Sequence, residues 1–246
     1  MKKLVAYITT SMPDNSFTVD LALSLKESGV DILELGIPFS DPVADGPVIE
    51  KANLLALQQG FKIKDLFEVS MQIAPHIDTL WMGYINPFFH IGFEEFCKKA
   101  QKSGVQGFII PDLPFEEAAL YRDLLKSYNQ TLINFVAPTS NRDRIKLLTQ
   151  YSSKFIYLVA YTGITGSGKS EDLSQTIQTI KEFSKDPIYL GFGVDETNAK
   201  EKVKDVDGVI VGSTLVKHLL DDSLSNQEKI AKISSIAKKI KEDINS

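Results

Sequence analysis

The sequence has one cysteine in 246 residues, three histidines and no basic excess. Each shortage excludes a class of protein. A lone Cys97 forms no internal disulfide and rules out a cysteine zinc cluster; in the helical-looking run Phe93 to Lys99 it reads as a small half-buried side chain. His76, His90 and His218 are too far apart to form a ligand pair at helical spacing, so no metal is expected. The formal charge is -5 with lysine and arginine dispersed, which leaves no basic stripe for nucleic acid. The locally basic Lys229 to Lys241 interleaves with Ile230, Ile233, Ala237 and Ile240 at helical spacing, the polar face of a packed helix. No stretch approaches the ~20 apolar residues of a membrane span, and the first residues are too short an apolar run for a signal peptide. A cytoplasmic location is expected.

What is present suits a globular enzyme. The chain is 43% hydrophobic and 24% charged, with 15 Gly and 10 Pro, enough apolar material for a large core and too little Gly and Pro for disorder. Short apolar runs predict strands at Leu4 to Thr9, Asp31 to Ile37, Thr79 to Tyr84, Val105 to Ile110, Thr131 to Ala137, Phe155 to Ala160, Ile188 to Phe192 and Gly208 to Val211. Helical patterns intervene at Thr18 to Ser28, Val48 to Gln59, Ile63 to Ala74, Phe93 to Ser103, Glu116 to Tyr128, Arg142 to Tyr151, Leu173 to Ser184 and Glu196 to Val203. Two more follow at Ser213 to Leu220 and Asn226 to Ile244. Unbroken alternation with near-continuous apolar strands predicts an α/β fold with a covered parallel sheet. Eight repeats without a linker favour a closed (β/α)8 TIM barrel, one domain over residues 1–246.

In such a barrel the chemistry lies at the C-terminal ends of the strands. Glu34 interrupts an apolar strand there, sharing a face with Ile32 and Gly36 and opposing Leu33 and Leu35. An unpaired carboxylate is costly to bury, so Glu34 faces a polar cavity, a partner or a substrate. Asp41 and Asp45 follow in a Pro- and Gly-rich loop. Either alone reads as a turn cap; with Glu34 they surround one pocket with carboxylates, as acid–base chemistry requires.

The second constellation is glycine-rich. Thr162 to Gly168 follows the sixth strand, Gly191-Phe192-Gly193 ends the seventh, and Gly212-Ser213 opens a helix after the eighth. Exposed N–H groups at such turns bind phosphate, with no compulsory Lys or Arg. A Walker A pattern also fits Gly163 to Ser170, but its place after a sixth strand makes it a chance match. The polar Thr162 to Ser170 stretch reads as a lid.

Leu33 to Pro47, Leu-Glu-Leu-Gly-Ile-Pro-Phe-Ser-Asp-Pro-Val-Ala-Asp-Gly-Pro, resembles the signature of the tryptophan synthase α chain family. The likeness continues through Met82 to Pro87, Pro111 to Pro114, Thr165-Gly166, Gly191 to Gly193 and Gly212-Ser213. It implies a lyase that splits indole-3-glycerol phosphate into indole and glyceraldehyde 3-phosphate by a retro-aldol step, without a cofactor in this chain. It also implies an α–β–β–α heterotetramer in which indole passes to a pyridoxal-phosphate β subunit. By motif position Glu34 matches the catalytic glutamate and Asp45 the aspartate at the indole nitrogen. Tyr157 matches a tyrosine beside that glutamate, Phe192 a wall of the indole pocket, and Gly166, Gly193, Gly212 and Ser213 the phosphate site.

The chain departs from the family in two places. It enters its first strand almost at once, where relatives begin with a helix beneath the barrel, and Ser11-Met12-Pro13 replaces the usual Gly-Asp-Pro. Rival readings are a Schiff-base aldolase, which lacks a strand-end Lys, a metal-dependent aldolase, an isomerase on the same barrel, and a non-catalytic regulatory subunit.

Overall fold

The computed structural model describes residues 1–160 and 173–246. Nine parallel strands run as β1 (Lys3–Thr9), β2 (Ile32–Gly36), β3 (Asp78–Met82), β4 (Gly107–Ile109), β5 (Thr131–Leu132), β6 (Asn134–Val136), β7 (Ile156–Val159), β8 (Ile188–Gly191) and β9 (Gly208–Val211). Their order is β5-β4-β3-β2-β1-β9-β8-β7-β6. The two ends of that series are consecutive in the chain, parted by Ile133 alone. Ile133 is buried, and its N–H donates to the Phe108 carbonyl at 2.9 Å. The expected fifth strand is therefore one strand split at a single residue. The sheet closes on itself as an eight-position TIM barrel, and a doubly wound sheet is excluded by the sequential order.

Period-two alternation sorts the strand residues between two cores. Val5, Ile32, Leu80, Ile109, Ile133, Phe155, Tyr157, Tyr189 and Ile210 fill the barrel, while Leu33, Leu35, Trp81 and Phe108 face outward into the helices. Local chemistry sets the helix ends. Asp14 caps Asn15–Glu27 by accepting from the Phe17 N–H at 2.8 Å. Ser225 and Glu228 form a capping box before Asn226–Asp243, satisfying N–H groups that the helix itself cannot.

Three helical regions differ from the sequence reading. Glu116 to Tyr128 is not continuous: Phe115–Ala118 and Arg122–Ser127 are joined by a 3-10 turn. Arg122 stacks there between Phe115 and Tyr151, at 4.5 and 3.8 Å from the ring centroids. Glu196 to Val203 shortens to Ala199–Lys202. The helix Ile85–Ile91, which contains Pro87, is additional to those read from the sequence. A proline within the first turn removes only an N–H that has no helical partner.

The floor of the barrel is closed by side chains. Phe155 and Tyr189 stack at 4.5 Å. Lys154 reaches from the start of β7 across the floor to Asp78 on β3 at 2.6 Å and to Gln106 before β4 at 2.5 Å. Asp31, before β2, receives Lys3 at 2.9 Å and Lys241 at 2.5 Å. The C-terminal helix is thereby pinned to the base of the first two strands.

Candidate active site

Glu34 shares a face with Ile32, which the structure turns into the barrel, and is 2% exposed. Its Oε1 has no hydrogen-bond partner among the described residues. Burial without a compensating partner disfavours the charged form and lifts its pKa from 4.5 to about 8. Near neutrality Glu34 thus carries a proton, with a pKa close enough to neutral to give it up and take it back.

Asp45 arrives from the loop after β2. Burial raises its pKa to about 6, held from rising further by the Tyr84 hydroxyl and the Asn53 amide. Asn53 Nδ2 donates to Asp45 Oδ2 at 3.2 Å from the helix Pro47–Gln58. Tyr84 Oη accepts from the Ala44 N–H at 3.1 Å, and its ring stacks on Phe39 at 5.3 Å. The two carboxyls therefore differ by environment: one is neutral in an apolar slot, the other ionised in a polar bracket. Asp41, the third carboxylate of the sequence reading, lies exposed on the loop and accepts from Ser40 Oγ at 2.5 Å.

Two tyrosines flank this pair. Tyr157 is buried on β7, and burial, then the charges of Glu34 and Asp45, push its hydroxyl well above the ordinary range. Tyr7 on β1 shows the same shift from burial, then from Asp45. Each lies across a glycine of the next strand. A Cβ on Gly36 would stand 2.2 Å from Tyr7 Oη, and one on Gly191 2.3 Å from Tyr157 Cε1. Those glycines are spaces that the tyrosines occupy. Phe192 is partly exposed at 39%, with its ring 6.0 Å from that of Tyr157.

Gly193, Gly212 and Ser213 sit together at the ends of the adjacent strands β8 and β9, and Thr214 Oγ1 donates to the Val194 carbonyl at 3.1 Å to join the two loops. Gly193 has φ +66. Gly166 and the stretch Thr162 to Ser170 lie outside the described residues. Among those described, no group of three or more His, Cys, Asp or Glu side chains gathers as a metal site, and no helix is long and apolar enough to cross a membrane.

Sequence reasoning did not single out Tyr7, Asn53, Tyr84 or Lys202. Tyr7 carried a signal, since it shares the inward face of β1 with Val5 and Thr9. Asn53 carried one too, as the polar member of a buried helix face with Ala52 and Ala56. For Lys202, whose ammonium touches the Gly193 turn, spacing offered nothing.

A parallel barrel with a neutral buried carboxyl and an ionised one at the C-terminal ends of its strands is the framework of an enzyme of acid–base chemistry. The sequence profile of the tryptophan synthase alpha chain matches residues 1–245. The chain belongs to the tryptophan synthase alpha chain family. A tryptophan synthase alpha chain from Wolinella succinogenes is 60% identical over 247 residues, spanning 100% of this chain and 97% of that protein. The alpha subunit structure from Campylobacter jejuni superposes with a TM-score of 0.86 at 35% identity, covering 96% of this chain and 95% of that one. A chain from the mutually activating tryptophan synthase a2b2 complex of Pyrococcus furiosus gives a TM-score of 0.85 at 28% identity, covering 98% of this chain and 99% of that one.

Proposed function

We propose that residues 1–246 form one catalytic domain that cleaves indole-3-glycerol phosphate to indole and glyceraldehyde 3-phosphate. In this reading it is the α subunit of a tryptophan synthase, working in the cytoplasm. Family membership supports the reaction, and the single structural observation that carries the residue roles is the split between the two carboxyls. Glu34 holds a proton near neutrality and Asp45 does not.

Cleavage of the bond between the indole ring and the glycerol chain needs the ring as a leaving group. Glu34 delivers its proton to C3 of indole while Asp45 accepts the ring N–H and stabilises the positive charge developing on that nitrogen. The Glu34 carboxylate so formed takes the proton of the adjacent glycerol hydroxyl. The C–C bond breaks, its electron pair restores the aromatic ring, and the former carbinol carbon becomes the aldehyde. Glu34 ends protonated, ready for another turnover. Tyr157 and Phe192 wall the indole, and the backbone at Gly193, Gly212 and Ser213 takes the phosphate. Pyridoxal phosphate belongs to the β partner, which receives the indole.

Indole release from indole-3-glycerol phosphate, followed with and without a β subunit, tests the reading. Glu34→Gln keeps size and removes proton transfer, and the loss of general acid–base catalysis costs about 10²–10⁴-fold. Retention of most of the rate would remove Glu34 from its role.

A further inference from the structure

The turn that presents Gly193 is held by more than its own backbone. Phe192 has φ 72 and Gly193 φ 66. Left-handed backbone is disfavoured for a residue with a Cβ, so Phe192 needs external support to stay there. That support converges on one atom, the Gly193 carbonyl oxygen. Asn198 Nδ2 donates to it at 3.0 Å and Lys202 Nζ at 2.5 Å. The two donors fill the carbonyl's two acceptor sites. Both come from one small unit: Asp195 Oδ1 accepts from the N–H groups of Thr197 at 2.8 Å and Asn198 at 3.1 Å, directly before the short helix Ala199–Lys202.

Fixing a carbonyl fixes the plane of its peptide. The peptide that contains the Gly193 carbonyl also contains the Val194 N–H. Among the described residues neither the Gly193 nor the Val194 N–H donates to a backbone or side-chain acceptor, although Val194 is buried. Gly193 is exposed, so its N–H is open to a ligand, while the N–H of buried Val194 lacks among the described residues the partner such groups nearly always have. Lys202 is half-buried, and burial lowers its pKa. An incompletely hydrated ammonium gains from an anion brought near it.

We propose that Lys202 is a positioning residue of the phosphate subsite: through the Gly193 carbonyl it aims the Gly193 and Val194 N–H groups at the substrate phosphate and sets a positive charge behind them. This rests on the phosphate reading given above. Lys202 acts through backbone, which is why glycine spacing alone did not disclose it. The Nζ lies 3.2 Å from where a Cβ on Gly193 would stand, so a side chain there would press on the clamp and on the turn together.

The test compares indole-3-glycerol phosphate with its dephosphorylated counterpart, indole-3-glycerol, and adds inorganic phosphate as a competitive inhibitor. For Lys202→Met, KM for the phosphorylated substrate and Ki for phosphate rise together by about tenfold, kcat changes less, and turnover of indole-3-glycerol stays within about twofold. Lys202→Arg, which retains donor and charge, restores most of the loss. If the Met variant does not fold, Lys202→Gln, a neutral donor, takes its place with the same pattern at smaller amplitude. Unchanged KM and Ki, or equal losses on both substrates, overturn the proposal. Gly212→Val separates the two failures. If it leaves phosphate discrimination intact, the phosphate reading itself is wrong; if it abolishes discrimination while Lys202 variants do not alter it, only the role of Lys202 falls.

Discussion

Asn53 and Asp45 are joined across the start of one helix: the Asn53 amide, buried among alanines, donates to the Asp45 carboxylate at 3.2 Å. The donor opposes the burial that raises the Asp45 pKa. Asn53→Leu keeps the volume and removes the donor. A hydrogen bond to a charged group is worth enough that kcat/KM should fall by about tenfold or more. The acid limb of the pH profile should also move to higher pH, since Asp45 would be protonated more readily. A profile with its acid limb unmoved would show that Asn53 only supports the fold.

The wild-type profile should be bell-shaped. In the proposed mechanism, Asp45 gains a proton below about pH 6 and would no longer stabilise the ring nitrogen, and above about pH 8 Glu34 loses the proton it would donate. Activity is therefore expected between those limits, with kcat/KM measured from pH 5 to 9.5 reporting both groups. A rate that climbs steadily through pH 8 would contradict Glu34 as the acid.

Glu34 should also be a stability liability. Its folded pKa is raised to about 8 from 4.5, so above pH 4.5 the unfolded chain releases a proton that the folded chain keeps. Stability is lost as pH rises across that window and levels off above pH 8, the sign expected for a carboxyl with a raised pKa. Glu34→Gln lacks this linkage. At pH 8 it should melt higher than wild type, by the equivalent of a few kcal/mol, while inactive. Thermal unfolding at pH 5 and pH 8 checks it, with the gap between variants widening at the higher pH.

The loop Pro38 to Val43 leads to the site through packed side chains. Half-buried Phe39 stacks on Tyr84, whose hydroxyl accepts from the Ala44 N–H next to Asp45. Ser40, Asp41 and Val43 are the exposed members, Val43 at 80%. A β subunit pressing on them can shift Asp45 through Phe39 and Tyr84, and a misplacement of about 1 Å can cost ~10²-fold in rate. Asp41→Ala or Pro42→Leu should reduce stimulation by the β subunit more than basal turnover, whereas Phe39→Ala should reduce both. Equal turnover with and without a bound β subunit would refute this coupling.

The order of strands and helices and the face that Glu34 shares with Ile32 and Gly36 followed from the sequence alone, because a period of two along a strand and 3.6 along a helix is a local property. The glycine turns after the last strands were legible for the same reason: a residue without a Cβ reports a backbone that needs the room. Neighbours across the barrel were not legible. Nothing local tells that Tyr7 fills the space above Gly36, that Lys154 crosses the floor to Asp78, or that Lys202 reaches back to Gly193. The motif assigned Glu34 and Asp45 to one site, yet their opposite protonation states came only from packing. Glu34 Oε1 is buried without a donor among the described residues, and Asp45 is bracketed by Asn53 and Tyr84. Burial and partner geometry, which decide a carboxyl's charge, exist only once residues distant in the chain have closed around it.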